Sequence, residues 1–117
     1  MASFSEASLL LDGIVKINVA QLRAGERPVL DALRSGELRY LGDDPQESWR
    51  TLREIWKHGG GDCEDLAAAL AAERTLAGHP SRVTFIRIRP GLVHAVTEDL
   101  KTGRKLDPSR TGGMGDP

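Results

Sequence analysis

The feature of this sequence that most constrains its fold is a run of three glycines placed directly before the strongest helix signal in the chain. Gly59–Gly61 can adopt backbone conformations closed to other residues, and residues 63–77 are rich in alanine and leucine. Asp62 stands at the N-cap position, and Asp65 three residues later favours a capping box. The pattern therefore predicts a glycine-rich loop followed by a helix that begins at Cys63.

Apolar periodicity divides the rest of the chain into a helical first part and a β-rich last part. The 117 residues suffice for one domain with one core. The predicted segments are an N-terminal helical part (1–36), a core (37–110) and a loose tail (111–117). Within the core we predict a short strand (37–41), a helix (47–57), the Cys63 helix and three strands (82–89, 92–97 and 104–107).

Composition excludes several classes of function. The 16 basic and 17 acidic residues give a net charge of -1, which provides no electrostatic footprint for nucleic acid or for an anionic membrane. The single cysteine allows neither an intramolecular disulfide nor a four-thiolate zinc site. The first residues lack the pattern of a signal peptide, and no apolar run reaches membrane-spanning length. We therefore expect a cytoplasmic protein, and a phage protein made in a host cytoplasm or carried in a virion would have the same composition.

The position of the cysteine at a helix start is typical of a nucleophile. Thiols attack as thiolates, and the unpaired N–H groups and the dipole of a helix N-terminus favour negative charge. The backbone N–H of Cys63 is a natural oxyanion donor, and Gly61 and Asp62 beside it are further candidates for contacting the substrate or its oxyanion. Asp62, Glu64 and Asp65 carry charge that opposes a thiolate, so the decisive stabilisation must come from a histidine partner.

A histidine and an aspartate complete a candidate triad. His94 is the one histidine of three that lies within a predicted strand. If strands 92–97 and 104–107 pair around the loop between them, His94 faces Asp107, and the carboxylate can fix the tautomer of the ring. Taken singly, a helical cysteine or a strand histidine is more often a buried structural residue. Their combination with the glycine loop favours catalysis.

Three short motifs are similar to those of a known superfamily. The stretch GGGDCEDL (59–66), the tripeptide HAV (94–96) and the tetrapeptide LDPS (106–109), followed by Gly113-Met114, resemble the transglutaminase-like cysteine superfamily. The likeness is greatest to its small bacteriophage and bacterial members. It spans about residues 37–114 of this chain.

The resemblance implies an α+β fold with a papain-like core, in which a nucleophile helix packs on a short antiparallel β-sheet, preceded here by the N-terminal helices. By carry-over, Cys63 is the nucleophile, His94 the general base and Asp107 the orienting acid. In the wider superfamily an aromatic or amide side chain upstream of the cysteine can help to hold the oxyanion. Tyr40 and Trp49 are the candidates here, although core packing is the commoner role of a tryptophan in a helix stripe.

The expected function is cysteine-dependent acyl transfer on a peptide or glutamine-type amide through a thioester, with hydrolysis favoured over crosslinking. The expected partner is thus a peptide or protein substrate, without a cofactor. A non-catalytic binding or assembly module, for example in a virion, is the alternative. A metal site would need Cys63, His94 and another histidine, but His58 lies across the glycine loop in poor ligand geometry, so no metal is expected.

Overall fold

Helices and strands alternate along most of the described chain, which comprises residues 4–42 and 49–115 of a computed structural model. The fold belongs to the α+β class, as the sequence predicts, and its main sheet is antiparallel with the strand order β3-β4-β5. In chain order the elements are α1 (Phe4–Arg23), α2 (Leu30–Ser35), β1 (Arg39–Tyr40), α3 (Leu52–His58), β2 (Gly60–Gly61), α4 (Cys63–Leu76), β3 (Ser81–Arg89), β4 (Leu92–Asp99), β5 (Lys105–Leu106) and α5 (Pro108–Thr111).

Helix α4 is the centre of the molecule. Every residue from 65 to 72 is buried, and a helix that is buried on all sides needs small residues for its neighbours to approach closely. Its alanines and leucines join two apolar clusters. The first, against α1 and the sheet, contains Leu11, Val15, Ala67, Ala68, Ala71, Ala72, Val83 and Ala95; the second, against α2 and α3, contains Val29, Ala32, Leu33, Leu38, Leu52, Ile55, Leu66 and Ala69.

The start of α4 follows the sequence prediction closely. Asp62 is the N-cap residue, and its Oδ1 accepts a hydrogen bond from the Asp65 backbone N–H at 3.0 Å. In return, Asp65 Oδ2 accepts from the Asp62 N–H at 3.1 Å. Because both bonds of the capping box form, the helix begins at Cys63.

Side chains of one helix cap the start of another and tie the N-terminal part to the core. Asn18 of α1 is fully buried, and its Oδ1 accepts from the Leu52 N–H at 2.7 Å at the start of α3. Glu73 of α4 accepts from the Val29 N–H at 2.8 Å at the start of α2. The N-terminal helical part therefore completes the core.

The region before the glycines differs from the prediction. The helix expected over 47–57 begins at Leu52, because Thr51 and Glu54 form a capping box there; residues 47 and 48 lie outside the described residues. The strand expected over 37–41 is limited to β1, which pairs in parallel with β2. The predicted glycine loop thus contains a strand, and a Cβ at Gly60 would collide with the carbonyl oxygen of Arg39.

The tail expected to be loose from residue 111 is docked as far as residue 114. The Tyr40 N–H donates to the Gly112 carbonyl at 2.9 Å, and the Met114 N–H donates to the Ser109 carbonyl at 2.9 Å. Gly112 also packs so tightly that a Cβ there would lie 2.9 Å from Leu33 Cδ2. A glycine-rich tail is expected to be loose unless it docks, and this stretch docks because α5 brings it against β1; residues 116 and 117 lie outside the described part.

Candidate active site

A cavity of about 360 Å³ opens where the N-terminus of α4 meets β4 and the stretch that follows β5. It brings together Cys63 and His94, the first two members of the predicted triad, with Tyr40 of β1. Apolar side chains form much of its remaining wall, namely Ile88, Leu92, Val93 and Met114. A wider groove of about 630 Å³ between α1 and β3 contains neither Cys63 nor His94, so the smaller cavity is the one that contains the candidate chemistry.

His94 and Asp107 form a close pair. The Nε2 atom of His94 lies 2.9 Å from each carboxylate oxygen of Asp107. Strands β4 and β5 pair Thr97 with Leu106, and continuing that register would put Ser109, not Asp107, opposite His94. Asp107 instead follows the last residue of β5, outside the strand pairing, and is the N-cap residue of α5. The predicted contact is present, through a register that differs by two residues.

Cys63 lines the same cavity as His94. The backbone N–H of Ala95, the residue after His94, lies close enough to lower the pKa of the Cys63 thiol. Among the hydrogen bonds of the described residues, none joins Cys63 to His94. The Cys63 Sγ donates instead to Glu64 Oε2 at 3.3 Å. Because Nε2 of His94 faces Asp107, Nδ1 is the ring nitrogen that remains for the thiol.

The surroundings of Cys63 favour its neutral form. Burial, followed by the charge of Glu64, raises the pKa of the Cys63 thiol to about 12. The Ala95 N–H acts in the opposite direction, as does the positive end of the helix dipole, but both are outweighed. Burial and the charge of Asp62 also raise the pKa of Glu64. These surroundings therefore favour a protonated Cys63 thiol at rest.

Gly61 and Asp62, two of the predicted substrate or oxyanion residues, serve the helix cap in this structure. Asp62 accepts from the Asp65 N–H, and a Cβ at Gly61 would lie 2.7 Å from Asp65 Cβ. Asp65 is 2% exposed and also accepts from the Arg50 N–H at 2.7 Å. Burial and the Asp62 charge nevertheless raise the pKa of Asp65 to about 7. This network fixes the backbone immediately before the nucleophile candidate.

The two aromatic candidates have different positions. Tyr40 lines the cavity with Cys63, because the pairing of β1 with β2 holds it beside the start of α4. Trp49 packs against the cluster that α1, α4 and the sheet form, and it is not among the described residues that line the cavity. The structure thus brings Tyr40 to the site and leaves Trp49, partly buried, packed against the core.

Arg110 is a residue of the site that the sequence analysis missed. It lines the cavity, and its Nε lies 3.6 Å from Asp107 Oδ2. The signal was present in the sequence, since an aspartate followed by Pro108 is typical of an N-cap and first helical position. A helix starting there places residue 110 one turn after Asp107, on the same side.

Nothing in the described ranges forms a metal centre or a membrane span. No three histidine, cysteine or carboxylate side chains of residues 4–42 and 49–115 converge to hold a metal ion. No helix in the same ranges combines the length and apolar character needed to cross a membrane.

Comparison of the chain with protein-family models, with curated proteins and with solved structures finds no match. The resemblance to the transglutaminase-like superfamily thus depends on the sequence motifs alone. The geometry of the cavity is independent of those motifs.

Proposed function

We propose that this protein catalyses cysteine-dependent acyl transfer on a peptide or glutamine-type amide, with a papain- or transglutaminase-like core. The observation that carries the proposal is the His94–Asp107 pair, with Nε2 2.9 Å from both carboxylate oxygens, in which His94 lines the same cavity as Cys63. A nucleophile, a base and an orienting acid are the three parts that this chemistry requires.

In the proposed reaction the proton of the Cys63 thiol passes to His94 Nδ1 as the sulfur attacks the carbonyl carbon. Asp107 holds the ring through Nε2–H and stabilises the imidazolium. The groups assigned to the developing oxyanion are the Cys63 backbone N–H and the Tyr40 side chain. The leaving amine or ammonia takes the proton back from His94, and the acyl group remains on sulfur as a thioester. A second nucleophile then releases the acyl group.

Water is the proposed second nucleophile, which makes the enzyme a peptidase or amidase rather than a crosslinking enzyme. Ile88 and Val93 in the wall of the cavity are 36% and 37% exposed, so the wall itself is open to solvent. Exclusion of water is what protects a reactive intermediate from hydrolysis. An amine acceptor would have to compete with water at this site.

Trapping of the acyl-enzyme tests the proposal. The protein is incubated with a mixture of glutamine-containing and other peptides, and its intact mass is followed with hydroxylamine as a chase. We expect an acyl adduct on Cys63 that hydroxylamine removes, together with release of amine or ammonia. The Cys63→Ala and His94→Ala variants should form none, whereas His58→Ala, which changes an exposed histidine, should act as the wild type. Cleavage that persists in Cys63→Ala would refute the proposal.

A second candidate function is a non-catalytic binding or assembly module, and the resting state of the thiol favours it. A sulfur whose pKa is raised to about 12 is a poor nucleophile near neutral pH unless a base takes its proton. For such a module, the wild type should form no adduct with any peptide of the mixture, and Cys63→Ala should bind the partner as tightly as the wild type.

A further inference from the structure

The contact between Cys63 and Glu64 competes with the contact that catalysis needs. A thiol has one hydrogen to donate, and the Cys63 Sγ donates it to Glu64 Oε2 at 3.3 Å. The same hydrogen cannot be donated at that moment to His94 Nδ1. The resting hydrogen bond and the reactive hydrogen bond are therefore mutually exclusive.

We propose that Glu64 is a positioning residue that holds the Cys63 thiol at rest, with its hydrogen directed away from His94, and that attack begins only when this hydrogen bond is broken. The catalytic part of this inference, that Glu64 delays attack, rests on the proposed function. Glu64 acts through Cys63 and takes no part in the bond changes: the thiol proton goes to His94 and later to the leaving group.

Two physical effects of the carboxylate act in the same direction. It accepts a hydrogen bond that only the protonated thiol can donate, and its negative charge disfavours a second negative charge on the neighbouring sulfur. Glu64 is half-buried at the first turn of α4, where weaker screening by water strengthens both effects. Its effect on the thiol is therefore larger than that of an exposed carboxylate.

Other charged or titratable groups face the same region from several elements. Asp62 is on the same helix start, and Tyr40 of β1, His94 of β4 and Arg110 of α5 line the cavity with Cys63. Among these, Asp62 provides a matched comparison with Glu64. It carries the same charge within two residues but serves as the N-cap, a role that asparagine fills equally well.

Alkylation of the intact protein by iodoacetamide, followed by mass spectrometry from about pH 6 to about pH 11, tests the proposal. Replacing Glu64 by glutamine preserves shape and removes the charge. We expect Glu64→Gln to shift the alkylation profile downward by about one pH unit or more, which is about a tenfold rise in rate near neutral pH. Asp62→Asn should give a clearly smaller shift. In the double variant Glu64→Gln/His94→Ala the rise in alkylation rate should be smaller, because the Cys63 thiol no longer has an imidazole partner to take its proton.

The outcomes separate this proposal from the proposed function. A Glu64→Gln profile equal to that of the wild type, or no larger a shift than in Asp62→Asn, overturns the role of Glu64 whether or not the protein transfers acyl groups. A shifted profile in a protein that never forms an acyl adduct supports the role and refutes the function. Loss of acyl transfer in Glu64→Gln would make Glu64 the base and overturn the proposal. If Glu64→Gln does not fold, Glu64→Met is measured in the same way.

Discussion

His94 Nε2 lies 2.9 Å from both carboxylate oxygens of Asp107, although the backbone register of β4 and β5 pairs neither residue with the other. The His94 side chain is 8% exposed and that of Asp107 is 21% exposed, so the pair is screened only weakly. This contact occupies Nε2 and leaves Nδ1 as the ring nitrogen available to Cys63. In turn, that nitrogen determines whether the ring can accept a proton from Cys63.

Asp107→Asn should therefore disable the site without unfolding the protein. The amide cannot stabilise the imidazolium, and its NH₂ group can favour the tautomer that carries the proton on Nδ1. We expect the rate of acyl-adduct formation to fall by about 10³-fold or more. Nitrogen NMR shifts of the His94 ring should report the change of tautomer. An unchanged ring tautomer together with an unchanged rate would contradict the role given to Asp107.

A second prediction concerns the close approach of β1 and β2. A Cβ at Gly60 would collide with the Arg39 carbonyl oxygen, whereas a Cβ at Gly59 would meet nothing within 4 Å. Gly60→Ala should force the strands apart and lower the free energy of unfolding by about 3 kcal/mol. Gly59→Ala retains only the cost of a left-handed backbone at φ +83°, about 1–2 kcal/mol.

Urea unfolding of the two glycine variants separates these costs. Tyr40 is on β1 and lines the cavity, so Gly60→Ala should also reduce acyl transfer by more than its loss of stability explains. Equal destabilisation by the two substitutions would mean that the contact with Arg39 is not what requires glycine at position 60.

The parts of the fold that the sequence predicts are those determined by local signals. Asp62 and Asp65 are three residues apart, and their reciprocal hydrogen bonds form within one turn. The alternating pattern of β3 and β4 around Gly91, whose φ is +79°, likewise specifies its own hairpin. These elements need no knowledge of the rest of the chain.

The parts that it misses depend on segments far apart in the chain. The pairing of Tyr40 with Gly61 joins a predicted strand to a glycine stretch of little intrinsic strand character, and only the tertiary structure brings them together. The hydrogen bond from Tyr40 to Gly112 likewise has no local signal. In the site, the negative charge next to Cys63 is evident from the sequence, but the direction of the Glu64 side chain toward the sulfur is not.

A third prediction concerns a side-chain hydrogen bond between β4 and α4. Thr97 is fully buried, and its Oγ1 donates to the Ala67 carbonyl at 2.8 Å. Thr97→Val preserves the shape and removes the donor, so it should lower the free energy of unfolding by about 1 kcal/mol. Thr84→Val, on the half-buried part of β3, should change it by no more than about 0.5 kcal/mol. Chemical denaturation of both variants measures the difference, and similar values for the two would show that this bond contributes little.

The last prediction concerns how the stability of the fold changes at acid pH. Asp99 closes the turn after β4: it accepts from the backbone N–H groups of Thr102 and Lys101 at 2.9 and 2.8 Å and from the Arg74 guanidinium at 2.7 Å. The Thr102 N–H makes the largest contribution to lowering the pKa of Asp99, which falls to about 2. Its unfolded value is about 3.9, so the folded state binds the proton less tightly. The stabilisation is therefore complete above about pH 4 and is lost as the pH falls through about 2.

Asp99→Asn should remove that part of the acid sensitivity. We expect the variant to be less stable than the wild type at neutral pH, because the ion pair with Arg74 is lost, and to approach the wild type as the pH falls from about 4 to about 2. Asp31→Asn, which changes a fully exposed carboxylate of α2, is the control and should keep the wild-type slope. Thermal unfolding across this range measures the gap between Asp99→Asn and the wild type. A gap that stays constant down to about pH 2 would mean that ionised Asp99 does not stabilise the turn.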